Sequence, residues 1–158
     1  MTPAINGLKK SRIKHQIHVY EHDPSNSAYG IEAAEKMGVA QQQVFKTLVV
    51  MLDNQKLAVA VLPVCAQLSM KLMAKACSVK KASMADSAEV ERSTGYVLGG
   101  VSPLGQKKRL KTVIDSSAQT FTSIYVSAGR RGLEIELAPI DLLKMSQGLY
   151  AEIAQANP

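Results

Sequence analysis

The sequence FKTLVVMLDNQKLAVAVLPV, residues 45–64, sets the architecture of the chain. Two apolar runs, 45–52 and 57–64, are short and rich in Val and Leu, and the turn-like segment DNQK lies between them. Runs of this kind are typical of strands that are buried on both faces. The sequence therefore predicts a pair of central strands joined by a tight turn.

Helices and strands alternate irregularly on either side of this pair. Strands are predicted at 15–22, 111–115, 123–128 and 133–138. Helices are predicted from Thr2-Pro3 to Arg12, over 31–37 up to Gly38, from Ser69, from the capping sequence Asp86-Ser87-Ala88-Glu89, and from Pro139 to Met145. Irregular alternation favours an α+β fold, with a mixed, partly barrel-like sheet flanked by helices. No repeat or linker interrupts residues 1–158, which predicts one domain.

Composition indicates a folded protein with an anionic partner. Of the 158 residues, 46% are hydrophobic and 20% charged, and the net charge is +6. Nucleic acid is the leading candidate, bound mainly through phosphate and sugar. The absence of Trp, with only two Phe and five Tyr, disfavours a base-stacking platform. No apolar run approaches the ~18 residues of a membrane span. With no secretory signal in MTPAINGLKK, we expect a cytoplasmic protein without a membrane partner.

The positions of cysteine and histidine in the sequence favour neither a metal-binding site nor a hydrolase that uses a covalent mechanism. Cys65 and Cys77 lie among aliphatic residues and are expected to be buried free thiols. His18 and His22 share a strand face with Tyr20, but no third metal ligand lies nearby. No GxSxG elbow is present. We therefore expect no metal, no cofactor and no protein nucleophile.

Lys46 is the first candidate for a functional side chain. On a strand it points the same way as Leu48, Val50 and Leu52, which places a cation at the mouth of an apolar core. Burial of a cation costs free energy unless an anion or acceptor meets it. The alternative is a lysine whose stem packs while its ammonium group reaches water. Position alone leaves both interpretations open.

The segment GGVSPLGQKKRLK, residues 99–111, is the second candidate. Its glycines allow close backbone approach, and Pro103 stiffens the turn. Backbone N–H groups of such a loop can bind an anion or an oxyanion. Four cations follow at once and could hold a phosphate chain: Lys107, Lys108, Arg109 and Lys111. The commoner alternative is an ordinary glycine turn before a solvated basic stretch.

A second glycine turn, SAGRRG at residues 127–132, joins two predicted strands. Ser127 shares a strand face with Tyr125, and Glu134 shares one with Glu136. A carboxylate here could order a lysine or accept hydrogen bonds from a ligand's ammonium group. The alternative is that both glutamates lie on the wet side of an edge strand.

Four segments together resemble the YbaK/EbsC family, and more closely its bacterial Cys-tRNA(Pro) deacylase branch. They are MTPAI…LKK, VFKTLVV, RSTGYVLGGVSPLGQKKRLKTVID and IYVSAGRRGLEIELAP-DL. The similarity runs from Thr2 to about Asp141. It implies a mixed, partly barrel-like sheet flanked by helices. It also implies trans-editing: hydrolysis of the ester in mischarged Cys-tRNA(Pro), with the tRNA(Pro) acceptor end and prolyl-tRNA synthetase as partners, and neither DNA nor a cofactor.

The resemblance also implies a set of site residues. The lysine of the FKT motif, here Lys46, is the catalytic residue, and the cysteine's own thiol is thought to attack its ester carbonyl. The substrate-binding positions are Tyr20, Tyr29, Thr47, Gly99, Gly100, Val101, Pro103, Ser127, Gly129 and Glu134. Relatives carry Phe where this chain has Tyr29, and often Asp where it has Glu134. Backbone N–H groups of residues 99–101 are expected to stabilise an oxyanion.

Three alternatives remain at this stage. An Ala-tRNA(Pro) deacylase would share the fold and differ in the amino acid. A non-catalytic tRNA- or synthetase-binding module would bind tRNA without hydrolysing it. A nucleotide-binding protein would use the 99–111 loop.

Overall fold

A computed structural model describes residues 1–156, which form five α-helices, two short 3₁₀ helices (Gln41–Gln43 and Ser116–Thr120) and ten strands. The helices are α1 (Pro3–Lys10), α2 (Tyr29–Met37), α3 (Met70–Ala76), α4 (Ser87–Thr94) and α5 (Pro139–Ser146). The strands are β1 (His15–Val19), β2 (Phe45–Leu52), β3 (Leu57–Pro63), β4 (Ala66–Leu68), β5 (Ala82–Met84), β6 (Lys111–Asp115), β7 (Ile124–Arg130), β8 (Leu133–Leu137), β9 (Leu149–Ala151) and β10 (Ala154–Ala156).

The predicted central hairpin is confirmed. Strands β2 and β3 pair antiparallel, with Lys46 opposite Leu62, inside a five-stranded sheet of order β5-β2-β3-β6-β9. Strand β3 pairs parallel with β6, and β6 with β9, so the sheet is mixed and the predicted α+β fold is confirmed. From Ala58 to Pro63, β3 is buried. Lys46, Thr47 and Leu48 on β2 are only half-buried, because they border a cavity.

A second sheet has the order β1-β8-β7, so β8 is its middle strand. Glu134 on β8 lies opposite His18 on one neighbouring strand and opposite Ser127 on the other. Only 6% of Glu134 is exposed. The wet-edge interpretation of Glu134 is therefore wrong, because pairing on both sides makes β8 an interior strand. An isolated parallel bridge between Val44 and Tyr125 connects this sheet to the start of β2.

Local capping chemistry places the helix ends. Thr2 Oγ1 accepts a hydrogen bond from the Ile5 N–H (3.3 Å), and Asp86 Oδ1 accepts one from the Glu89 N–H (2.9 Å). Gly38 closes α2 with φ +68°. Strand β1 ends at Val19 instead of residue 22, because its partner β8 begins opposite, at Leu133.

The expectation for the cysteines is half correct. Neither thiol forms a disulfide; Cys77 is buried, whereas Cys65 is half-buried in the turn between β3 and β4. The strands β4, β5, β9 and β10 escaped prediction because three residues are too few to show a period-2 pattern. No helix within residues 1–156 is both long and apolar enough to cross a membrane.

The largest core cluster lies where the two larger sheets and α1 meet. Its members include Ile5, Leu8, Phe45, Val61, Ile124, Val126 and Ile135. This core holds β2 against β7 and β8, so that the half-buried end of β2 and the buried glutamate of β8 border the same space.

Candidate functional site

Residues from β2, the start of α2, the 98–101 loop and strands β7 and β8 surround a cavity of about 440 Å³. Eight residues predicted to act on or bind substrate line it: Tyr20, Tyr29, Lys46, Thr47, Gly99, Val101, Ser127 and Glu134. They come from positions 20 to 134 of the chain, and only the fold brings them together.

The other three predicted positions, Gly100, Pro103 and Gly129, do not line the cavity. A Cβ on Gly100 would stand 3.1 Å from the Arg130 Cα, and one on Gly129 would stand 2.6 Å from the Tyr96 ring. Pro103 is buried further along the same loop. Because Gly100 has no side chain, this loop packs closely against Gly129 and Arg130 of β7, which positions Gly99 and Val101 at the cavity.

Lys46 is held by a backbone carbonyl. Its Nζ donates a hydrogen bond to the Ala66 carbonyl oxygen at 2.6 Å. Partial burial lowers the pKa of Lys46, and the nearby Cys65 opposes this shift. Lys46 forms no ion pair with a carboxylate among the described residues, so Glu134 does not order it. An ammonium group has three donors, and this hydrogen bond accounts for one of them.

Glu134 is a buried carboxyl group without a recorded polar partner. Its carboxyl makes no hydrogen bond or ion pair with any residue of 1–156, and burial raises its pKa to about 8. Burial also raises the pKa of Tyr20, and the Glu134 charge adds to that rise. Ser127, opposite Glu134 in the sheet, accepts a hydrogen bond on Oγ from the Gly129 N–H at 3.1 Å. A carboxyl in this position can accept hydrogen bonds from a cationic group that enters the cavity.

Thr47 contributes a second unpaired polar group to the cavity wall. Its Oγ1 is buried and has no hydrogen-bond partner among the described residues. Since buried polar groups are nearly always paired, an unpaired hydroxyl in a cavity wall indicates a position for a ligand.

The loop predicted to bind an oxyanion offers fewer N–H groups than expected. The Gly100 N–H donates to the Val97 carbonyl oxygen at 3.0 Å. The N–H groups of Gly99 and Val101 are therefore the candidates for an oxyanion site in this loop.

Sequence reasoning missed Arg131 as a site residue. Its guanidinium lies over the Tyr29 ring, 3.8 Å from the centroid, and Nη2 donates to the Leu98 carbonyl oxygen at 3.2 Å. Gly99, at φ +84°, passes beside both; a Cβ there would stand 2.6 Å from the Arg131 guanidinium and 2.7 Å from Tyr29. The SAGRRG turn was recognised in the sequence, but the residue on which its arginine stacks lies about 100 positions away.

Glu32 is a second residue that the sequence did not single out. It is 1% exposed and accepts hydrogen bonds from His22 Nδ1 (2.6 Å) and the Asp23 N–H (2.8 Å). Burial opposes ionisation of Glu32, but these hydrogen bonds prevail and lower its pKa. The network anchors the segment between Tyr20 and Tyr29, which forms one side of the cavity. Within residues 1–156, no three His, Cys, Asp or Glu side chains are grouped to hold a metal ion.

Comparison with known proteins identifies related sequences. A model of the aminoacyl-tRNA editing domain matches residues 25–145. The chain is 42% identical over 120 residues to the Enterococcus faecalis protein named "Putative Cys-tRNA(Pro)/Cys-tRNA(Cys) deacylase EbsC", covering 76% of this chain and 73% of that protein. It is 29% identical to the uncharacterized protein YwhH of Bacillus subtilis over 122 residues, 77% of each chain.

Solved structures share the fold at lower identity. A crystal structure of the hypothetical protein APE2540 superposes with a TM-score of 0.86 and 22% identity, covering 97% of this chain and 99% of that one. A crystal structure of "a putative trans-editing enzyme for prolyl tRNA synthetase" gives a TM-score of 0.83 at 18% identity, with 98% and 96% coverage.

Proposed function

The chain belongs to the aminoacyl-tRNA editing domain family, and we propose that it is a deacylase that releases cysteine from mischarged Cys-tRNA(Pro). The relative that is 42% identical bears the name of a Cys-tRNA deacylase, which supports cysteine as the amino acid. We propose that residues 1–158 act as one cytoplasmic domain. Its partners are the tRNA(Pro) acceptor end and prolyl-tRNA synthetase.

One observation carries the mechanism: among the described residues, the cavity contains a fixed lysine and a buried carboxyl group, but neither a thiol nor a hydroxyl group hydrogen-bonded to a base. Among the described residues, no Cys or His lines the cavity. Its hydroxyl groups on Ser127 and Thr47 donate to no base within residues 1–156. A hydroxyl group needs such a base to act as a nucleophile. A substrate that carries its own nucleophile removes this requirement.

The proposed reaction uses the cysteine thiol of the substrate. The sulfur attacks the ester carbonyl carbon; a C–S bond forms, the C–O bond to the ribose breaks, and the thiol proton ends on the ribose oxygen. The product besides tRNA is a four-membered thiolactone. Water then opens its C–S bond and restores the free thiol and a carboxylic acid. The net reaction is hydrolysis of the ester.

Each polar group of the cavity has a separate role in the proposed reaction. The two remaining donors of Lys46 stabilise the thiolate or hold the terminal adenosine and its phosphate. The N–H groups of Gly99 and Val101 face the developing oxyanion. Glu134 in its ionised form accepts hydrogen bonds from the substrate's α-ammonium group. Thr47 Oγ1 supplies a hydrogen bond to the ester or the ribose.

Timed release of amino acid from charged tRNA(Pro) tests the proposal. Cys-tRNA(Pro), Ser-tRNA(Pro) and Ala-tRNA(Pro) are compared, each with and without prolyl-tRNA synthetase. We expect cysteine release at least about 100-fold faster than serine release, because a hydroxyl is a far weaker nucleophile than a thiol. Equal rates for cysteine and serine would disprove thiol assistance, and faster release of alanine would favour the Ala-tRNA(Pro) alternative. Binding without any release would identify a non-catalytic module.

A further inference from the structure

A second concave surface borders α4 beside the cavity, and its charge is strongly positive. It is a groove of about 510 Å³, formed by the β2–β3 turn, one face of α4 and the segment leading into β6. Four cations line it: Lys56, Lys108, Arg109 and Lys111. We call this surface the basic groove.

The cations of the basic groove are exposed and uncompensated. None of the four forms an ion pair with a carboxylate within residues 1–156, and all four side chains are exposed. The one carboxylate lining the groove, Glu89, is paired with Arg92. Asp53, on the neighbouring turn, is not a lining residue, and it accepts a hydrogen bond from the Lys80 N–H. The groove therefore presents net positive charge to an incoming ligand.

The backbone carrying these cations is ordered. The Lys107 and Lys108 N–H groups donate to the Thr94 and Ser93 carbonyl oxygens at 3.0 and 2.9 Å, which ties the segment to the end of α4. Lys111 begins β6 and pairs with Ala58 of β3. The basic stretch is solvated, as the sequence alone favours, but its backbone is anchored at both ends and offers its charges at set positions.

The basic groove lies close to the cavity. On β2, Val49 lines the cavity and Leu52 lines the groove, three residues and so about 10 Å apart. On α4, Val90 lines the cavity while Glu89 and Ser93 line the groove. A polyanion in the groove could thus extend over α4 to the cavity within a few nucleotides.

We propose that the basic groove binds the phosphate backbone of the RNA whose aminoacylated end enters the cavity. This inference rests on the proposed function for the identity of the RNA. Phosphates of an RNA strand supply regularly spaced negative charges, and each one neutralised by Lys or Arg releases counterions. The groove would contribute binding energy that does not depend on the amino acid esterified to the RNA, whereas the cavity would distinguish one amino acid from another.

The test compares two triple variants with the same change in charge. In the groove variant, Lys108, Arg109 and Lys111 are replaced by Gln. In the control variant, Lys9, Lys10 and Lys14 are replaced by Gln; these exposed lysines line neither the groove nor the cavity. Dissociation constants for uncharged tRNA(Pro) are measured at several salt concentrations, and KM is measured for Cys-tRNA(Pro) and for the cysteine ester of adenosine.

We expect the groove variant to bind tRNA about tenfold more weakly and to lose about 2–3 from the slope of log K against log salt. Its KM for the adenosine ester should match that of the wild type, because this substrate is too short to reach the groove. If both variants lost the same affinity for tRNA, the effect would come from net charge alone and the proposal would be overturned. Unchanged affinity in the groove variant would also overturn it. Binding is measured with tRNA that carries no amino acid, so it does not depend on deacylation. If the protein binds this tRNA through the groove but releases no amino acid, the proposed function is disproved while the RNA-binding role of the groove stands.

Discussion

The guanidinium carbon of Arg131 lies 3.8 Å from the centre of the Tyr29 ring, and Gly99 passes beside both. This contact joins the β7–β8 turn to the start of α2. The hydrogen bond from Arg131 to the Leu98 carbonyl oxygen brings in the glycine loop. Three segments far apart in the chain therefore meet at one edge of the cavity.

Replacing Gly99 by Ala, with a suitable control, should distinguish the effect of the Arg131–Tyr29 contact on activity from the effect of backbone strain on stability. The φ of +84° disfavours any side chain, and the added Cβ would displace Arg131 and Tyr29. We expect a loss of about 1–2 kcal/mol in stability from the left-handed backbone and at least about a tenfold fall in kcat/KM for deacylation. Gly38→Ala is the matched control, because its φ is +68° and nothing lies within 4 Å of the new Cβ. A similar fall in kcat/KM in the control would contradict a specific role for the contact.

Replacing Lys46 by Met should greatly reduce activity without unfolding the protein. Folding lowers the pKa of Lys46, so the fold disfavours its charge, and removal of that charge should change the free energy of unfolding by less than about 1 kcal/mol. Loss of a preorganised donor should lower kcat by about 100- to 1,000-fold. Single-turnover deacylation and urea denaturation measure the two effects. Lys75→Met, at an exposed position on α3, is the control, and full activity of Lys46→Met would refute its catalytic assignment.

Glu134 should make stability depend on pH. Folding raises its pKa from 4.5 to about 8, so the folded protein binds more protons than the unfolded chain between these values. Its contribution to stability is fully present below about pH 4.5 and is lost as the pH rises to about 8, by about 1.4 kcal/mol per pH unit.

The Glu134→Gln variant isolates this contribution. Urea denaturation at pH 5, 6, 7 and 8 should show a steeper decline for the wild type than for the variant. Glu35→Gln, at an exposed position on α2, should follow the wild type. Parallel pH profiles for the wild type and Glu134→Gln would mean that the carboxyl keeps an ordinary pKa.

Thr47 and Thr112 should respond to Val in opposite directions. Val has the shape of Thr but no hydroxyl, and the Thr47 hydroxyl is buried and unpaired in the described structure. We expect Thr47→Val to raise the free energy of unfolding by about 1 kcal/mol and to raise KM for charged tRNA. Thr112 Oγ1 donates to the Leu110 carbonyl oxygen at 3.1 Å, so Thr112→Val should lower stability by a similar amount. Destabilisation by Thr47→Val would show that its hydroxyl is already satisfied.

Much of the local structure could be read from the chain. Two apolar runs of eight residues predicted β2 and β3, and capping residues predicted the starts of α1, α3 and α4, because these signals depend on neighbours within a few positions. Gly38 marked the end of α2 for the same reason. The motif segments also indicated the family to which the chain belongs.

The sequence by itself therefore determined the five α-helices, the six strands of five or more residues, the mixed fold class and the family, all of which follow from local pattern or shared motifs. Only the tertiary structure decided that Glu134 is buried, that Lys46 donates to Ala66 and that Arg131 stacks on Tyr29. Whether a glutamate on a strand is wet or dry depends on what packs against its face of the sheet as well as on the strands that pair on either side of it. The pairing with β1 joins Glu134 to His18, 116 positions earlier in the chain, a distance over which no sequence periodicity extends.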